Sequence, residues 1–87
     1  MNTFAENLTS SLIERARKMK EVADTSVPFH APEVAPIISN ELLKIRFEAM
    51  RNGITDETLD RIMNDTRESL ENLVKYYQMY FTKVSFN

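Results

Sequence analysis

Four basic side chains, Arg15, Lys18, Lys20 and Arg46, are the groups in this sequence best suited to hold an anion. Guanidinium and ammonium groups donate charge-assisted hydrogen bonds to carboxylate and phosphate oxygens. Three of the four fall in the run Arg15-Ala16-Arg17-Lys18-Met19-Lys20. Wound into a helix, that run sends its charges in widely separated directions instead of along one face. Glu14–Lys18 and Arg17–Glu21 also stand at the i,i+4 spacing of ion pairs, which neutralises part of it. The run as a whole therefore reads as solvated helix surface. Arg15 and Arg46 are sharper candidates, because Arg15 interrupts an apolar arc and Arg46 sits between two apolar stripes. A guanidinium so placed either lays its stem on apolar surface, enters a structural ion pair, or grips a phosphate by two bonds. The first two are the expectation. A small phosphate-bearing ligand such as a nucleotide, held by these four residues where subunits meet, is the alternative.

Nucleophilic and metal chemistry find little to work with. The single histidine, His30, lies in Phe29-His30-Ala31-Pro32, with no spacing that brings it an orienting partner or a nucleophile. It reads as a loop residue. Without Cys there is no disulfide, thiolate metal site or cysteine nucleophile, and one glycine, Gly53, cannot build a glycine-rich phosphate loop. No cofactor, metal ligand or catalytic residue is expected. A chain this short also leaves little room for a ligand pocket of about 300 Å³ or more. The expectation is a protein that is not an enzyme.

Aromatic side chains gather near the C-terminus, in Tyr76-Tyr77-Gln78-Met79-Tyr80-Phe81 and then Val84 and Phe86. On helical spacing Tyr77, Tyr80 and Phe81 continue a core stripe, while Tyr76 and Met79 point elsewhere. Tyr and Met are enriched at protein interfaces. A lid on the core, packed against Phe4 and Leu8, is the structural alternative. Base stacking is disfavoured, since no basic groove flanks the segment.

The elements that position these residues follow from composition and periodicity. Eighty-seven residues, 43% hydrophobic and 28% charged, make a single globular domain, and 11 basic against 13 acidic side chains create no strong field toward nucleic acid or anionic membrane. No basic region precedes an apolar run at the N-terminus, and no apolar stretch approaches membrane-spanning length. A cytoplasmic protein with no membrane partner is expected.

Three helices are predicted, over about residues 4–24, 36–52 and 56–82, giving an all-α three-helix antiparallel bundle with a proline-rich first connection and a long C-terminal helix. Helix 1 carries Thr3 and Glu6 at capping-box spacing and the apolar arc Phe4, Leu8, Leu12, Ala16, Met19, Val22 and Ala23. In helix 2, Pro36 is expected in the first turn, because a start at Pro32 would set Pro36 against the carbonyl four residues back. One apolar stripe of this helix is Ile38, Leu42, Ile45 and Ala49; a second is Leu43, Phe47 and Met50. Two apolar sides ask for two neighbours, so helix 2 is expected in the centre. Gly53 should end it as a left-handed C′ residue, with Ile54 touching the last turn. Helix 3 should start with Thr55 as N-cap and carry the stripe Leu59, Ile62, Met63, Thr66, Leu70, Leu73, Val74, Tyr77, Tyr80 and Phe81. Glu57–Arg61 and Glu71–Lys75 are spaced as ion pairs along it.

Helix 3 should outrun helix 2 by roughly ten residues, about 15 Å, leaving apolar surface without a neighbour. Soluble monomers seldom expose more than a few hundred Å² of contiguous apolar surface. Self-association follows as the expectation, with Leu43, Phe47, Met50, Tyr76, Met79 and Tyr80 at or near the contact. The function expected is non-catalytic: a self-associating helical regulator, adaptor or inhibitor that works on a protein partner.

Overall fold

A computed structural model describes residues 3–85, which form α1 (Thr3–Thr25), a single 3₁₀ turn (Pro28–His30), α2 (Ala31–Arg51) and α3 (Glu57–Ser85). The bundle is all-α, and long and thin at 62 × 19 × 17 Å. Two tight reversals, at residues 26–30 and 52–56, make α2 antiparallel to its neighbours and leave α1 and α3 running in the same direction.

Local chemistry explains most boundaries. At the end of α1, the Thr25 hydroxyl donates to the Glu21 carbonyl (2.7 Å) and the Ser26 hydroxyl to that of Val22 (2.6 Å). Each hydroxyl is an added donor to a last-turn carbonyl, that of Val22 also accepting the Ser26 amide at 3.0 Å. Val27 then turns extended (φ −79°, ψ 148°), as a residue before proline must. Thr3 is already helical, so it does not cap α1, and the residue before it lies outside the described residues.

The start of α2 corrects the sequence-based expectation. The helix begins at Ala31, five residues earlier than predicted, and holds Pro36 inside it. The 3₁₀ turn feeds it directly, since the Ala31 amide donates to the Pro28 carbonyl. Pro32 occupies the first turn, where its missing N–H does no harm. Pro36 does leave a helical carbonyl without its donor, but the extra turns bury Ala31 and pack Val34 on the core.

Where α2 ends, Gly53 takes φ +65°, as expected. The Ile54 amide donates to Ala49 (2.8 Å) and the Gly53 amide to Met50 (3.2 Å), the two bonds of a Schellman motif. Ile54 also packs against the core. One residue on, the cap of α3 is Asp56, not Thr55: its carboxylate accepts the Leu59 amide at 3.0 Å. A carboxylate at this end also meets the positive end of the helix dipole.

Leu12, Ile38, Ile45 and Leu59 are fully buried, joined by Thr66, whose hydroxyl donates to the Ile62 carbonyl (2.6 Å) and leaves no orphaned polar group. Contrary to expectation, α1 and not α2 makes the two extensive seams, with α3 and with α2, while the α2–α3 seam is the slightest. Ala16 and Ala23 on α1 are buried, and their small side chains let both neighbouring helices come close. Phe4, expected in the core, is exposed instead. The overhang of α3 is smaller than predicted: it has 29 residues against 21 in α2, and the 3₁₀ turn lies along it.

Candidate functional site

The four basic candidates do not converge. Arg15 is half-buried at the α1–α2 seam, where its Nη1 donates to Glu48 (2.8 Å) and its Nε to Glu41 (3.2 Å), with Nη2 on the same Glu41 oxygen. Of the fates open to Arg15, the structural ion pair is the one it takes. The Glu41 hydrogen bond, aided by that of Glu48, outweighs the opposing effect of burial and holds the guanidinium above its ordinary pKa. Lys20 pairs with Asp24, four residues on. That bond, with a second from Ser69 on α3, keeps the Asp24 carboxyl below its ordinary value. Lys18 is exposed. Arg46 stands on the other flank of α2, beside α3, away from Arg15.

The expected pairs Glu14–Lys18, Arg17–Glu21, Glu57–Arg61 and Glu71–Lys75 are not within ion-pair distance. His30 sits at the cap position of α2, exposed, with Nδ1 3.5 Å from Glu33. Among the described residues no cluster of His, Asp or Glu could hold a metal ion, and no helix is long and apolar enough to cross a membrane.

All six expected contact residues lie at the surface. Leu43, Phe47, Met50, Tyr76, Met79 and Tyr80 are each 50–69% exposed. They form two groups rather than one. Leu43 and Met50 line hollows along the α2–α3 seam, with Phe47 one turn from each. Tyr76 and Tyr80 stand at the opposite end, beside Pro28 and Phe29; the Phe29 and Tyr80 rings are 5.8 Å apart. Tyr80, also assigned to the core stripe, is thus an outer residue, while Tyr77 and Val74 are half-buried over Ala31 and Pro36. The segment is no lid on Phe4 and Leu8, because parallel α1 and α3 place those residues at the far end of the bundle. Phe86 lies outside the described residues, as do the side chains of Phe81 and Val84.

Two hollows run along the weakest seam, one of about 210 Å³ around Leu43, Arg46 and Arg67, the other of about 430 Å³ around Arg46, Met50 and Asp60. Arg67 and Asp60 were not singled out by the sequence. Their signal is present all the same, because each borders the α3 stripe on the side of Met63. The surface joins apolar side chains to charges of both signs. It can bind, by apolar contact and ion pairing. No protein-family model matches this chain, and no curated protein or solved structure is significantly similar to it.

Proposed function

We propose that this chain is a non-catalytic, self-associating helical protein of the cytoplasm that acts by protein–protein contact, as a regulator, adaptor or inhibitor. One observation carries this: among the described residues, ten large apolar side chains, the six expected contact residues among them, are at least half exposed. Scattered apolar residues on a surface need no explanation. Leu43, Phe47 and Met50 gather beside an open seam, and Phe29, Tyr76 and Tyr80 at one end of the bundle, where neighbouring apolar side chains add to one another. An 87-residue chain also has a small core, and burial between copies supplies stability that the core lacks.

Concentration-dependent unfolding tests the self-association. If folding and association are linked, the thermal midpoint rises with protein concentration between about 1 and 100 μM. A midpoint independent of concentration refutes it.

A further inference from the structure

The three helix seams treat their charges differently. Across α1–α2, Arg15 is satisfied by Glu41 and Glu48. Across α1–α3, Asp24 has the Ser69 hydroxyl, with Lys20 beside it on its own helix. Along α2–α3, Arg46, Arg67 and Asp60 have no ion-pair partner among the described residues. Arg46 and Asp60 border one hollow and still do not pair with each other. This is also the least packed seam, and the one flanked by exposed Leu43, Phe47 and Met50.

We propose that a second copy of this chain seats on the α2–α3 face, about a two-fold axis running along the seam. The proposal rests on self-association and gives it a surface. Such an axis lays α2 of each copy over α3 of the other without changing level along the bundle. Arg46 and Asp60 stand at one level on different helices, so Arg46 of each copy meets Asp60 of the other, twice in the dimer. Leu43, Phe47 and Met50 then close over the hollows of the opposite seam. An axis crossing the seam at the level of Arg46 would instead stack α2 on α2 and bring Arg46 against itself, a like-charge contact that specific interfaces avoid. The seam with both an open apolar floor and unspent charges of both signs is the self-complementary one.

Charge exchange tests this directly. Arg46→Asp and Asp60→Arg change exposed residues, so both variants keep the fold, which circular dichroism checks. By light scattering, each variant alone should dimerise about 100-fold more weakly than the unaltered chain, about tenfold for each of two reversed pairs. Mixed in equal amounts, the two should recover dimer, because each altered charge then meets its opposite. Met79→Lys, at the far end, should leave the dimer intact. An unaltered chain that is monomeric overturns self-association and this surface together. A dimeric chain whose charge variants stay dimeric, whose mixture fails to recover, or which is split by Met79→Lys overturns the surface alone.

Discussion

Pro36→Ala distinguishes the two ways of starting α2 by the sign of its effect. With α2 beginning at Ala31, Pro36 is the sixth residue of the helix and gives the Pro32 carbonyl no donor. Proline in a helix interior costs about 3 kcal/mol relative to alanine. Restoring the hydrogen bond contributes about 1 kcal/mol net, and removing the crowded ring adds to it. Against this, alanine frees the unfolded chain by about 0.4–1 kcal/mol. The ring itself is exposed, so little packing is lost. The net effect is stabilisation by about 2–2.6 kcal/mol, raising the thermal midpoint by about 8–21 °C for a domain of this size. Had α2 begun at Pro36, the same change would remove a favourable first-turn proline and destabilise by about 0.4–1 kcal/mol. Urea and thermal melts at one fixed protein concentration decide the matter, since association also shifts the midpoint. An unchanged or lowered midpoint refutes a helix that runs through Pro36.

Gly53→Ala should cost about 1 kcal/mol in the same melts; a Cβ there meets nothing within 4 Å, so the whole cost comes from φ +65°. Asp56→Ala should cost about 1 kcal/mol through the lost cap of α3, while Thr55→Ala changes little, and the reverse order would return the cap to Thr55. Asp24 has a folded pKa below its ordinary 3.8, so its contribution is present above that pH and fades as pH falls through the lowered value. Asp24→Asn should therefore lower stability at pH 7, with the difference from the unaltered chain closing in acid; a difference constant down to pH 2 contradicts the Lys20 and Ser69 bonds.

Much of this fold is legible in the residues, and what is not has a physical reason. Gly53 followed by Ile54 announces the end of α2, because only that pair at that spacing meets both the backbone and the apolar demands of the motif. The buried stripe of α3, from Leu59 to Leu73, is visible at helical period. Pro36 misleads because its local penalty is real, and only tertiary burial of Ala31 and Val34 outweighs it. The second stripe of α2 suggested a central helix, since periodicity records an apolar face without saying whether a neighbour in the same chain covers it. Ala16 and Ala23 decide the packing through their smallness, which a search for bulky side chains passes over. Glu41 and Glu48, seven residues apart on one flank of α2, were the available signal for a cation across the seam, and Arg15 answers it.

Sedimentation equilibrium on the unaltered chain at micromolar concentration tests self-association most directly. A mass near twice 10.1 kDa is expected, falling toward the single-chain value on dilution. A mass of 10.1 kDa at every concentration would contradict it, and would leave Leu43, Phe47 and Met50 as surface that no second copy covers.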